Sequence, residues 1–254
     1  MISKEPILVT EGLEKRFGGV IAAHNISISL YPGETLAVIG SNGAGKTTFV
    51  NMVTGYLKPS AGSIHFKGKD ITGMSPSKTA RIGIRRSFQI SQVFPKLTAL
   101  ENVMISDVAA LDGKGGMFAP AITNERMNAA HANLARFGLE QFANSIVGTL
   151  PQGVRKQLDI AMAAVEDPAV ILLDEPTSGV SVDEKINMMD SVINPLKGED
   201  ATVLFIEHDM DIVSRFASRT VAFYEGTILA DGPTEEVLQN AKVREYVIGG
   251  AAHA

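Results

Sequence analysis

Along the first thirty residues apolar and polar positions alternate. Ile26, Ile28 and Leu30 flank Ser27 and Ser29, the pattern of a half-buried strand in an antiparallel sheet. Pro32-Gly33 predicts a turn. Thr35 to Ile39 is a short apolar run of β-formers, and Thr47 to Thr54 reads as a helix closed by Gly55. A further strand is expected at Ser63 to Phe66. Ser75-Pro76 reads as a helix start, with serine as N-cap and proline in the first helical position.

From about residue 92 to 166 the period changes from two to that of a helix. Met127, Ala130, Leu134 and Phe137 share one helical face, with Thr123 as cap and Gly138 as stop. Leu158, Met162 and Val165 mark another helix, ended by Pro168, and Asp112 to Gly116 reads as a loop. After Pro168 strands and helices alternate again. Val170 to Leu173 and Thr202 to Ile206 are buried strands, with a helix from Val182 to Leu196 between them. Thr220 to Tyr224 and Thr227 to Ala230 flank Glu225-Gly226, a hairpin signal, and one or two short helices follow Pro233. The expectation is a single α/β domain over residues 1–254. Residues 1–91 and 167–254 form its core and an antiparallel β subdomain, and 92–166 form an inserted helical subdomain.

Composition narrows this little but excludes several classes. The chain has 254 residues, 45% of them hydrophobic and 20% charged, and a net charge of −5, which argues against a nucleic-acid surface. With no cysteine, disulfides, thiol catalysis and thiolate metal sites are excluded. Met1 to Pro6 has no apolar signal core. The longest apolar runs, such as Ala169 to Leu173 and Ile160 to Val165, fall far short of the ~20 residues of a membrane span. The expected place is the cytoplasm, docked on another protein if the work is done at a membrane.

The candidate chemistry begins at Gly40-Ser41-Asn42-Gly43-Ala44-Gly45-Lys46-Thr47-Thr48, which fits G-x-x-x-x-G-K-[ST] between a strand and a helix. Glycines let successive backbone N–H groups turn inward around phosphates, and the helix adds the positive end of its dipole. Lys46 can then reach the β- and γ-phosphates, and Thr47 can bind Mg²⁺. Asp174 and Glu175 end an apolar strand at the edge where open α/β sheets bind ligands. Asp174 suits Mg²⁺, and Glu175 suits a general base for an attacking water. Paired acids also cap turns, and it is the upstream phosphate loop that favours the chemical reading. His208 ends the next buried strand, within reach of a γ-phosphate, and Gln89 lies where the core gives way to the helical region.

In this order the motifs resemble those of the ATP-binding subunits of ABC transporters, over nearly the whole chain. The resemblance implies ATP and Mg²⁺ as cofactors, a P-loop NTPase core with a mixed, mostly parallel sheet, and transport-coupled ATP hydrolysis. It places Gln89 as the Q-loop glutamine, with Thr47 and Asp174 on the metal, and His208 as the switch histidine. Leu150-Pro151-Gln152-Gly153-Val154 stands where the family carries its Leu-Ser-Gly-Gly-Gln signature, which acts on the ATP of a second subunit. Phe17 takes the place of the aromatic residue that stacks on adenine; an ordinary strand core residue is the alternative. Within the family the chain looks most like ATPases of branched-chain amino acid importers. The grounds are the Phe17 segment, the stretch between Gln89 and the signature, Leu204 to Met210, and the end Arg244 to Gly250.

Two segments depart from the pattern. Pro151 offers neither hydroxyl nor N–H, which reads either as tolerated drift or as a weakened half-site. It suits a first helical turn, and Gln152 can donate an amide in place of the missing groups. Val180-Ser181 replaces Leu-Asp, and Ser181 with Glu184 forms a capping-box pattern. These departures favour a heterodimer with a paralogous ATPase over a homodimer, on transmembrane permease subunits served by a substrate-binding protein. An exporter, a non-transport soluble ABC protein and an ATP-gated scaffold are the rival readings. The expected location is the cytoplasmic face of a bacterial inner membrane.

Overall fold

The computed structural model describes residues 5–110, 123–198 and 201–249. In chain order its elements are β1 (Leu8–Phe17), β2 (Val20–Leu30), β3 (Thr35–Gly40), α1 (Lys46–Val53), β4 (Ala61–Phe66), β5 (Lys69–Asp70), α2 (Pro76–Arg81) and β6 (Ile84–Ser87). Next come α3 (Ala99–Ala110), α4 (Asn124–Arg136), α5 (Gln152–Ala163), β7 (Val170–Asp174), α6 (Val182–Gly198) and β8 (Thr202–Ile206). The chain continues through α7 (Met210–Phe216), β9 (Arg219–Tyr224), β10 (Thr227–Pro233), α8 (Thr234–Gln239) and α9 (Ala241–Val243), which runs into a last turn at Arg244–Ile248.

The strands form two sheets. An antiparallel sheet has the order β2-β1-β4-β5, and a mixed sheet has the order β10-β9-β3-β8-β7-β6. Within the mixed sheet every pairing is parallel except β9 with β10. That hairpin turns at Glu225 and Gly226, whose φ values of 46° and 76° suit a primed turn between right-twisted strands.

The central strands are apolar throughout because both faces of their sheet are covered. Leu36 and Val38 of β3, Val170 and Leu172 of β7, and Leu204 and Ile206 of β8 pack with Phe49, Val50 and Met52 of α1 and with the inner face of the antiparallel sheet. The alternate residues Ala37, Ile39, Ile171, Leu173, Val203 and Phe205 pack on the other side with the buried faces of α4, α5 and α6. In β2 the alternation is one-sided: Ile26, Ile28 and Leu30 are buried and Ser27 is exposed.

Ser75 is the N-cap of α2 and Pro76 opens the helix, as expected, although the Ser75 side chain makes no capping bond. Several other local expectations need correction. Helix α5 ends at Ala163, five residues before Pro168, where Glu166 and Asp167 take left-handed backbone at φ 63° and 47°. Pro151 is the N-cap of α5, not its first helical residue. Ser181 donates its hydroxyl directly to Glu184 Oε2 at 2.6 Å, a side-chain pair in place of a reciprocal capping box. Thr123 does cap α4, accepting from the amide of Arg126 at 3.2 Å. The loop expected at Asp112 to Gly116 lies outside the described residues.

Candidate functional site

The phosphate loop leaves β3 at Gly40 and enters α1 at Lys46. Gly45 caps the helix at φ 101°, and a Cβ there would stand 2.8 Å from the carbonyl oxygen of Ala22, so the tight approach of β2 requires glycine. The β9–β10 turn braces the loop from behind: the Gly226 amide donates to Ala44 O at 3.1 Å, and Gly226 O accepts from His24 N at 2.7 Å. Asn42 and Gly43 are exposed, Ser41 and Thr48 are half-buried, and Thr47 faces solvent, so the loop is open to a ligand. Lys46 is buried and donates from Nζ to Gly40 O at 2.6 Å and Ser41 O at 3.0 Å. Burial lowers its pKa, opposed by the nearby charges of Glu175 and Asp174.

Phe17 ends β1 and is 49% exposed, with Lys15 Nζ 5.2 Å from its ring centre. It is not a core residue of the strand. It pairs with Val20, two positions before the Ala22 carbonyl that closes on Gly45.

Register sets the rest of the site. Val38 of β3, Ile206 of β8 and Asp174 of β7 lie in one row across three neighbouring strands. Gly40, His208 and Glu175 therefore leave the sheet at the same edge, within adjacent strand spacings of about 4.8 Å. Glu175 adopts left-handed backbone at φ 47°, a conformation unusual for a non-glycine residue, and its amide donates to Ile206 O at 3.1 Å. Its carboxylate meets two side chains. Gln89 Nε2 donates to Oε2 at 2.6 Å, and His208 Nε2 lies 3.2 Å from Oε1. Glu207, buried behind them, accepts from the amide and the hydroxyl of Thr177 at 2.9 and 2.8 Å, which holds the loop that follows Glu175.

Asp174 is buried and paired with Arg86, whose Nη2 lies 2.5 Å from Oδ2. Arg86 also donates to Asn51 of α1 at 2.5 Å and lies 4.8 Å from the ring centre of Phe88. Thr47, Asp174 and Gln89 each carry an oxygen group of the kind a hard cation takes. Among the described residues no cluster of three or more His, Cys, Asp or Glu could hold a metal by itself.

The segment Leu150–Val154 leads into α5. Leu150 is buried, and Val154 is partly buried against the core. Pro151 and Gln152 are exposed. The amide head of Gln152 covers Gly179 so closely that a Cβ there would stand 2.1 Å from Nε2. Gln89, Gln152, Lys156 and Ser178 line one depression.

Arg86, Lys156, Asp159 and Glu207 escaped the sequence reading although each contacts the site or its loops. A signal existed for two of them: Lys156 and Asp159 interrupt an apolar helical face with charges three residues apart.

The family model described as ABC transporter matches residues 23–178. The chain is 33% identical to the high-affinity branched-chain amino acid transport ATP-binding protein LivG of Escherichia coli K12, covering 97% of this chain and 99% of that protein. It is 34% identical to BraF of Pseudomonas aeruginosa, a protein of the same description, at the same coverage. The fold matches the crystal structure of the ADP conformation of MJ1267, an ATP-binding cassette of an ABC transporter. The TM-score is 0.84 at 31% identity, over 96% of this chain and 98% of that one. Among the described residues no helix is long and apolar enough to cross a membrane.

Proposed function

The chain belongs to the ABC transporter family and is an ABC-type ATPase, and on that premise we propose that it powers a membrane importer of branched-chain amino acids or related small polar or carboxylate solutes. The observation that carries the hydrolytic part is the meeting of Gln89 and His208 on the carboxylate of Glu175, two strands away from the strand that leads into the phosphate loop. The names of the relatives carry the cargo class.

ATP lies with its base on Phe17 and its phosphates in Gly40–Thr48. Lys46 exchanges the carbonyls of Gly40 and Ser41 for phosphate oxygens, which are stronger, charged acceptors. Thr47 and Asp174, with Gln89, would hold Mg²⁺, which would supply charge neutralisation for the phosphates. Glu175 takes the proton of the attacking water, Gln89 orients that carboxylate, and His208 stands ready to donate toward the γ-phosphate. Leu150–Val154 faces the nucleotide of a second ATPase subunit. Closure of the two subunits drives the permease, at the cytoplasmic face of the membrane, and a separate binding protein delivers the cargo.

The test is Glu175→Gln in the complex with its permease. Loss of a general base should slow hydrolysis about 100-fold or more while ATP still binds. Hydrolysis at the wild-type rate would remove Glu175 from the mechanism. Uptake of labelled leucine, isoleucine and valine by the same complex tests the cargo class.

Pro151 favours a heterodimer with a paralogous ATPase. As N-cap it brings no side-chain hydroxyl and no N–H to the point where α5 meets solvent. In that arrangement Glu175→Gln here and the matching change in the partner have unequal effects on ATPase activity. Equal losses from the two changes point to a symmetric pair.

A further inference from the structure

Three backbone carbonyls converge on one ammonium. Lys156 Nζ donates to Phe88 O at 2.5 Å, Gln89 O at 3.0 Å and Asp174 O at 3.1 Å. Lysine is almost never fully buried unless paired, yet Lys156 is 2% exposed. A buried ammonium is tolerable when its three protons are matched, and here each has an acceptor. Those acceptors belong to the two segments that meet in the site. Two carbonyls come from the loop that carries Gln89. The third comes from the Asp174–Glu175 peptide, whose amide side is held by Ile206 O at 3.1 Å. A left-handed backbone at Glu175 persists only where its surroundings over-determine it, and this peptide is gripped at both ends.

One helical turn further along the same face, Asp159 holds the same loop by its donors. It accepts from Ser87 Oγ at 2.6 Å, Phe88 N at 3.3 Å and Gln92 N at 2.8 Å. Lys156 thus takes the carbonyls of the loop, and Asp159 takes its amides.

We propose that Lys156 is a positioning residue of the hydrolytic site: its buried ammonium sets Gln89 against Glu175 and, with Asp159, ties both to the helix that begins at Leu150–Val154. Burial draws the pKa of Lys156 down, and the surrounding carboxylates, Asp159 first, then Asp174, Glu175 and Glu207, draw it back up. The ammonium is therefore set in a frame of opposite charge as well as of carbonyls. Any displacement of the start of α5 passes to Gln89 through Lys156 and Asp159. A subunit's own hydrolytic geometry then depends on where its signature segment sits, and that segment serves the other nucleotide.

The inference rests on the reading that Glu175 activates water, so Glu175→Gln runs beside it as a control. The variants are Lys156→Met, without donors, Lys156→Gln, with a shorter donor, and Lys156→Arg, with the charge restored. They are made in the full chain and assayed in the complex with its permease. Lys156→Met should lower kcat for ATP about tenfold or more, the scale on which small misplacements act, with KM and Mg-ATP affinity within about twofold. Hydrogen exchange across residues 87–92 should quicken about tenfold in Lys156→Met, and Lys156→Arg should recover most of both losses. If Lys156→Met does not fold, Lys156→Gln is expected to show the same split between kcat and KM. Wild-type kcat in the donor-less variant, equal losses in Lys156→Met and Lys156→Arg, or an ATP affinity that falls in step with kcat would overturn the proposal. If Glu175→Gln still hydrolyses ATP, the reading beneath it has failed. If Glu175→Gln is inactive and Lys156→Met is not impaired, the positioning role alone has failed.

Discussion

Gln89 donates its side-chain amide to Glu175 Oε2 at 2.6 Å, across the gap between the end of β6 and the end of β7. The contact needs a donor at residue 89 and a carboxylate at 175. Gln89→Ala should therefore lower ATP turnover about tenfold through lost orientation. Gln89→Glu should be worse than alanine, because it sets a second carboxylate against the first and favours the protonated base. Steady-state ATPase rates of the two variants decide this; a better rate for Gln89→Glu would contradict the contact.

The brace behind the phosphate loop gives a second expectation. Gly226 sits at φ 76°, and a Cβ there would meet Ala22 O at 3.2 Å. Gly226→Ala carries backbone strain of ~1–3 kcal/mol and shifts the amide that holds Ala44 O. ATP affinity should fall about tenfold, equivalent to about 1.4 kcal/mol, as read by equilibrium binding of a fluorescent ATP analogue.

Arg86 and Asp174 form a buried ion pair, with side chains 6% and 7% exposed. Removing one partner leaves the other charge buried alone, at about 3–5 kcal/mol. Arg86→Met should lower stability on that scale in urea denaturation, and Arg86→Met with Asp174→Asn should regain part of the loss. An additive double variant would show that the two charges do not act as a pair.

Asp209 caps α7 and accepts from Lys185 Nζ at 2.8 Å. This hydrogen bond, the largest cause, lowers its pKa from the ordinary aspartate value. A depressed carboxylate stabilises the fold above the unfolded pKa of about 4 and loses that contribution as pH falls through the lower folded value. Asp209→Asn keeps a capping oxygen but loses the ion pair, a loss of about 0.5–1 kcal/mol at neutral pH. The gap between wild type and variant should close as pH drops below about 4. Paired denaturation curves at neutral and acid pH measure it; a gap that widens in acid would contradict the assignment.

The linear order of residues carried most of this protein. Continuous apolar runs marked the strands at Val170 to Leu173 and Thr202 to Ile206, and a 3.6-residue period marked the helix at Asn124–Arg136, because each element buries one face or both. The loop Gly40–Thr48 was legible as a candidate phosphate site because cradling phosphates needs glycines and a lysine at fixed spacings along a single turn. What the order of residues could not convey is which strand neighbours which. Only the parallel register of β3, β8 and β7 sets Gly40, His208 and Glu175 at one edge. Only the packing of α5 on that edge brings Lys156 to three carbonyls drawn from positions 88, 89 and 174. Those partners lie up to 68 residues away in the chain. A buried charge finds its match in the folded core, where low polarity makes an unmatched group costly and so selects the one arrangement that satisfies it.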